Sequence, residues 1–145
     1  MVPRLRRIRF PVKACGYWVR ARPWDELVER FRNALAVGGP YFSPHLRFCE
    51  RMACPPYRDR FHAITSMHTF IISNTQAFDS GCEVLRLDFI DGTALFEYVE
   101  QPGVRTRWMR RAPADEAFDA VVRLAHIKRW FVEYGMESGR LDTLR

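Results

Sequence analysis

The chain has 145 residues, of which 48% are apolar and 28% are charged, with a formal net charge of +6. This length and composition are typical of one folded domain that buries about two thirds of its unfolded surface, and they exclude a disordered protein. No apolar run approaches the roughly 20 residues of a membrane-spanning helix, and Pro11 and Lys13 interrupt the apolar region that a signal peptide requires. We therefore expect one cytoplasmic domain over residues 1–145, with a flexible basic arm at 1–7 and a flexible tail at 137–145.

The first part of the chain predicts an edge strand followed by two helices. Residues 8–20 have a strand-like composition that Pro11 interrupts, so we expect them at the edge of a sheet. A helix is predicted over residues 23–38 and a shorter one over 43–53, each with a proline in its first turn. The apolar residues of the first helix recur at helical spacing: Trp24, Leu27, Val28, Phe31 and Leu35.

The second part of the chain predicts strands and a last helix. Residues 62–73 are rich in Ile, Thr and Phe and are expected to form one strand, followed by a turn segment over 74–81. The last helix is predicted to begin at Pro113 and to end near Gly135. Further strands are predicted over 83–90, 93–100 and 104–110. Together the elements predict an α+β domain, in which an antiparallel meander sheet of four to five strands packs with two N-terminal helices and one long C-terminal helix.

A β-hairpin is the most strongly specified element. Asp91 and Gly92 separate two alternating runs, and both residues tolerate the positive φ of a type I′ turn. A turn of two residues also fixes the pairing of the two strands. The aromatic and aliphatic side chains then share one face of the ribbon: Leu85, Leu87, Phe89, Ala94, Phe96 and Tyr98. On the opposite face Arg86 is expected to pair with Glu97.

The face of the hairpin that bears Arg86 and Glu97, which we call the outer face, is the predicted contact surface. It is too apolar for a face wholly in water and too charged for a dry core. Either the N-terminal helices cover part of it, or another chain does. We expect a protein partner to contact Arg86, Leu95, Glu97, Arg105 and Arg107, and the same face could form a homo-oligomer.

The search for catalytic motifs is negative. The chain contains no nucleophile elbow, no phosphate-binding glycine loop, no dinucleotide-binding fingerprint and no H-E-x-x-H motif. No cofactor is therefore expected, and the size favours a small non-catalytic binding protein of the regulator, inhibitor or immunity type. An enzyme is an alternative, in which a cleft gathers His62 or His68 with a carboxylate such as Asp88 or Glu100.

Histidine and cysteine residues give no standard metal-binding pattern. His45 and Cys49 are neighbours on a predicted helix and Cys54 follows it, but the spacing differs from that of zinc sites. His62 and His68 are about 20 Å apart on an extended strand. We therefore expect reduced, partly buried cysteines and no metal site.

Nucleic-acid binding is the second functional hypothesis. Of the 23 basic residues only Lys13 and Lys128 are lysine, and arginine makes bidentate contacts with phosphate. A GC-rich genome also explains this bias. Strand alternation turns Trp108 towards the core, which removes the aromatic platform on which a base would stack. The candidate residues lie in the N-terminal arm and around the third hairpin strand: Arg4, Arg6, Arg7, Arg105, Arg107, Arg110 and Arg111.

Overall fold

The computed structural model describes residues 19–78, 83–99 and 107–130. These ranges contain three α-helices: α1 (Trp24–Gly38), α2 (Ser43–Met52) and α3 (Ala117–Ile127). They also contain seven strands: β1 (Val19–Arg20), β2 (His62–Ser66), β3 (Thr69–Ser73), β4 (Ala77–Phe78), β5 (Val84–Ile90), β6 (Thr93–Val99) and β7 (Arg107–Pro113). The mixture of helices and antiparallel strands confirms the predicted α+β class. The predicted arm at 1–7 and tail at 137–145 lie outside the described residues.

Five of the strands form one antiparallel sheet in the order β2-β3-β5-β6-β7, while β1 pairs with β4 in a separate two-stranded sheet. The β5–β6 hairpin has the predicted register, since Arg86 lies opposite Glu97. Asp91 and Gly92 form its turn with φ values of 50° and 77°, the left-handed conformation that a type I′ turn requires. Prediction and structure agree because the turn residues and the alternation of both strands specify the same pairing.

One face of the sheet, which we call the aromatic face, packs against the helices. All its side chains on β5 and β6 are buried. Helix α1 buries Trp24, Leu27 and Phe31 of the predicted apolar stripe. The indole Nε1 of Trp24 also donates a hydrogen bond to the backbone carbonyl of Phe61 at 2.8 Å, which fixes the start of α1 over the sheet. Each such side chain contributes roughly 1.5–3 kcal/mol through its burial.

The prediction of one strand over residues 62–73 is wrong, because the chain reverses direction at Met67 and His68. Strands β2 and β3 form a tight hairpin there, with Ser66 opposite Thr69. Met67 adopts a φ of 58°, a left-handed conformation that costs a residue with a Cβ about 1–2 kcal/mol. Neither central residue of the turn, Met67 or His68, is a type that dominates turns, so the packing of both strands onto the core overrides the local preference.

The last helix is shorter than predicted. Helix α3 ends at Ile127, before the predicted end near Gly135. The backbone N–H groups of Arg129 and Trp130 bond back to carbonyl groups of the last helical turn, as in a Schellman motif, and Arg129 has a φ of 62°. The buried ring of Trp130 lies 6.1 Å from that of Phe61. The packing of this tryptophan into the core explains why the chain leaves the helix here.

Part of the predicted turn segment over residues 74–81 is also a strand. Ala77–Phe78 (β4) pairs with Val19–Arg20 (β1), which lies at the beginning of the described residues. A strand of two residues has no periodicity that a sequence pattern could reveal. The rest of the first predicted strand lies outside the described residues.

Candidate interaction surface

The outer face of the five-stranded sheet is closed at one end. Ile71, Val84 and Val99 are each at most 2% exposed there. They form a small apolar cluster with Phe78 of β4 and Val19 of β1. The β1–β4 sheet, and not the N-terminal helices, therefore covers this end of the outer face.

A buried ion pair lies in the middle of the outer face. The Nε atom of Arg86 is 3.6 Å from the Oε1 atom of Glu97, and the two side chains are only 11% and 5% exposed. The hairpin register places the two residues directly opposite each other. Because each charge lies where water is largely excluded, the opposite charge within the sheet helps to compensate for the loss of water.

The remaining end of the outer face, which we call the open end, exposes apolar side chains. Met109 is 64% exposed and Ile90 is 46% exposed. Leu95 is half-buried on the strand between them. The register places Leu95 opposite Arg111 and Met109 opposite Glu97, so all these residues share the outer face. Exposed apolar side chains gathered on one face are typical of a contact surface.

Charged side chains border the open end on two sides. Arg111 is exposed on the edge strand β7, opposite Leu95. On the opposite side, Asp91 is exposed at the β5–β6 turn, and half-buried Asp88 accepts a hydrogen bond from the hydroxyl of Thr69. The open end therefore has an apolar centre with a basic border along β7 and an acidic border along β5.

Trp108 confirms the alternation predicted for the last strand. Its ring packs on the aromatic face and stacks on Tyr98, with 5.4 Å between ring centroids and 22° between the planes. The guanidinium of Arg110 lies 5.0 Å from the indole centroid. The indole is engaged by these two contacts, which argues against its use as a platform for a nucleic-acid base.

The predicted partner-binding residues fall into three groups. Arg86, Leu95 and Glu97 share the outer face, but only Leu95 belongs to the open end, since the ion pair exposes little surface. Arg107 is the first residue of β7. Arg105 lies outside the described residues. Whether this set contacts a partner stays a prediction.

The predicted nucleic-acid-binding residues do not share one surface in the described part of the chain. Arg111 lies on the outer face, whereas Arg110 lies beside Trp108 on the aromatic side of β7. The others of this set, apart from Arg107, lie outside the described residues: Arg4, Arg6, Arg7 and Arg105.

Met109 and Ile90 are the most exposed apolar residues of the open end, yet neither is among the predicted contacts. The sequence contains a signal for Met109, because the alternation that assigns Arg107 to one face of β7 assigns Met109 and Arg111 to the same face. Alternation likewise assigns Ile90 to the outer face with Arg86, but the exposure of either residue depends on where the β1–β4 sheet ends.

His45 occupies a cage of aromatic rings beneath the aromatic face. It is 1% exposed, and its ring stacks on Phe31 with 5.1 Å between centroids. Neither ring nitrogen makes a hydrogen bond of normal geometry within the described residues. Burial and, to a lesser extent, repulsion from His68 lower the pKa of His45 to about 4, although Asp88 and the backbone of Tyr41 partly oppose this. The imidazole is therefore neutral at physiological pH.

The described residues hold no group of three or more His, Cys, Asp or Glu side chains that could bind a metal ion. Cys49 is buried, and burial raises the pKa of its thiol. Cys54 is exposed, and its thiol donates to the backbone carbonyl of Glu50 at 3.4 Å. The two thiols therefore have different environments, and Cys49 packs as a small apolar residue within the core.

The catalytic alternative, in which a cleft gathers His62 or His68 with a carboxylate such as Asp88 or Glu100, stays a prediction. His62 lines a cleft of about 290 Å³ together with Asp59, and burial lowers the pKa of His62 more than Asp59 raises it. His68 lies at the β2–β3 turn, while Asp88 bonds to the Thr69 hydroxyl on the outer face. Glu100, the other predicted carboxylate, lies outside the described residues.

Comparisons with known proteins give no family for this chain. No protein-family model, curated protein or solved structure matches it. Within residues 19–78, 83–99 and 107–130, no helix is long and apolar enough to cross a membrane.

Proposed function

We propose that this protein is a non-catalytic binding protein whose open end contacts the surface of another protein. The observation that carries the proposal is the exposure of Ile90 and Met109 beside Leu95 on one face of the sheet. Protein interfaces combine an apolar centre with a polar rim. Arg111 and Asp91 lie where such a rim is expected.

The charges favour a partner with an acidic surface. The net charge of +6 attracts an acidic protein at long range and repels a second copy of this chain. At short range, the exposed guanidinium group of Arg111 can donate paired hydrogen bonds to a carboxylate. A homodimer through this face is therefore the less favoured arrangement.

The contact is expected to involve side chains of the face and not the edge of the sheet. Strand β7 is an edge of the five-stranded sheet, and it carries arginines and Pro113. Charged residues and proline on an edge strand hinder the addition of a further strand. A partner that docks flat on the open end avoids this obstacle.

Quantitative affinity capture from cells of the source organism tests the proposal with the double variant Ile90→Gln/Met109→Gln. Glutamine keeps much of the side-chain length but removes the apolar surface, so recovery of the partner should fall about tenfold or more. The matched control is Val37→Gln/Ile127→Gln, which changes two exposed apolar side chains on α1 and α3 and should leave recovery unchanged.

Equal recovery with wild type and the open-end variant would contradict the proposal, as would equal losses in the two variants. Loss of the captured material after nuclease treatment would favour the nucleic-acid hypothesis. Sedimentation experiments show whether the chain forms a concentration-dependent dimer. If it does, and if only the open-end variant abolishes the dimer, the open end binds a second copy of the chain and not a different protein.

A further inference from the structure

A second surface feature lies at the opposite edge of the sheet. A cleft of about 620 Å³ opens between α1, β1 and the β2–β3 hairpin. This volume falls within the range of about 300–1,000 Å³ that is usual for small-molecule sites. Its apolar wall is formed by Val19, Leu27, Ile64 and Ile71. None of these residues belongs to the open end.

The polar rim of the cleft is dominated by one cation. Arg22 and Glu26 both line it and neutralise each other, since Nη1 of Arg22 lies 2.6 Å from Oε2 of Glu26. Arg30 donates from Nη2 to the backbone carbonyl of Met67 at 2.9 Å. Among the described residues Arg30 has no carboxylate partner, so its charge at the rim is not neutralised by them.

The edge of β2 supplies a second donor to the cleft. The backbone N–H of Arg22 donates to the carbonyl of Ala63, so the polar groups of Ala63 point away from β3. Strand alternation gives the backbone N–H of Thr65 the same direction, and Thr65 lines the cleft. Within the described part of the chain, no further strand pairs with β2 at this position.

We propose that this cleft binds an amphipathic organic anion, whose carboxylate contacts the guanidinium of Arg30 and the backbone N–H of Thr65. The apolar body of the ligand would pack against Val19 and Ile64, which are partly exposed. Arginine is suited to this role because its planar guanidinium binds a carboxylate in a bidentate manner, and Arg30 retains donors beyond the one used by Met67. The proposal does not depend on the partner at the open end.

Calorimetric titration with octanoate tests the site, and amide chemical shifts of the labelled protein locate it. Octanoate should bind, and the Thr65 amide should be among those that shift. Arg30→Gln should weaken octanoate binding about tenfold or more, because a hydrogen bond to a charged group is worth at least one decade in affinity. The matched control is Arg32→Gln on the same helix, which removes the same charge at a residue that pairs with Glu29 and should leave affinity unchanged.

Three further ligands define the chemistry. Acetate carries the carboxylate without the apolar body and octanol carries the body without the charge, so both should bind more weakly than octanoate. Octyl phosphate distinguishes a carboxylate site from a phosphate site. The proposal is overturned if octanoate does not bind, or if Arg30→Gln and Arg32→Gln change its affinity equally. It is also overturned if acetate or octanol binds as tightly as octanoate, or if octyl phosphate binds more tightly than octanoate. Thermal unfolding of both variants shows whether each remains folded.

Discussion

The two faces of the five-stranded sheet are built from the same alternating strands but have different relations to the rest of the chain. Helices cover the aromatic face, and all of its side chains on β5 and β6 are buried. The outer face is covered by β1 and β4 only around Ile71, Val84 and Val99. Its open end leaves Ile90 and Met109 exposed. One face of the sheet is therefore buried in the core, while the open part of the other leaves apolar side chains exposed.

The largest difference between the faces should appear when single side chains are truncated. Phe96→Ala removes a buried ring from the aromatic face and should lower the free energy of unfolding by about 3–5 kcal/mol. Met109→Ala at the open end should change it by less than about 0.5 kcal/mol. Urea denaturation of both variants measures the contrast, and similar losses in the two would mean that Met109 also belongs to a core.

The ion pair in the middle of the outer face offers a second test. Glu97→Leu removes the carboxylate that faces Arg86 at 3.6 Å in a site that is 11% exposed, and should cost about 3 kcal/mol of unfolding free energy. The double variant Arg86→Met/Glu97→Leu should recover most of this loss, because both charges are then removed. A double variant as unstable as the single one would show that the pair is not the source of the effect.

The burial of His45 in its aromatic cage should make the free energy of unfolding depend on pH. The pKa of His45 is lowered from 6.5 to about 4, so between these values the unfolded chain binds more protons than the folded one. The contribution of neutral His45 to the free energy of unfolding is therefore fully present above pH 6.5. It decreases as the pH falls towards 4, by about 3 kcal/mol in total. His45→Phe should lose this part of the pH dependence, measured as the difference between the two denaturation curves across pH 4–7. Identical slopes in the two proteins would contradict the buried, neutral state of His45.

The turn that joins the two central strands should have the smallest effect. Gly92 has a φ of 77° with open space around its Cα, so Gly92→Ala should cost about 1–2 kcal/mol through backbone strain alone. Asp91→Gly, at a φ of 50°, relieves the same strain and should not destabilise the hairpin. Thermal unfolding measures both changes, and a loss above 3 kcal/mol for Gly92→Ala would indicate contacts that this turn does not show.

Local signals explain which parts of the fold could be predicted from the sequence. The register of β5 and β6 follows from Asp91 and Gly92 together with the alternation of the flanking strands. The reversal at Met67 could not be predicted, because its positive φ is imposed by packing and not by residue type. Likewise, the cover of the outer face comes from β1 and β4, which are too short to show a pattern.

The candidate site was predictable only in part for the same reason. Alternation assigns Leu95 and Met109 to the outer face, but it cannot show which end of that face is covered. The burial of the Arg86–Glu97 pair likewise depends on what packs around it, although their pairing was predicted. The cleft beside Arg30 involves four separate elements of the chain, so no local pattern indicates it.

Photo-crosslinking in the source cells is the most direct test of the partner-binding proposal. One variant carries a photo-crosslinking amino acid at position 109, and the control variant carries it at position 37. Both native side chains are exposed, at 64% and 91%, but only Met109 lies on the open end. We expect a discrete covalent adduct with an acidic protein from position 109 and none from position 37. The absence of any adduct at 109, or the same adducts from both positions, would contradict it.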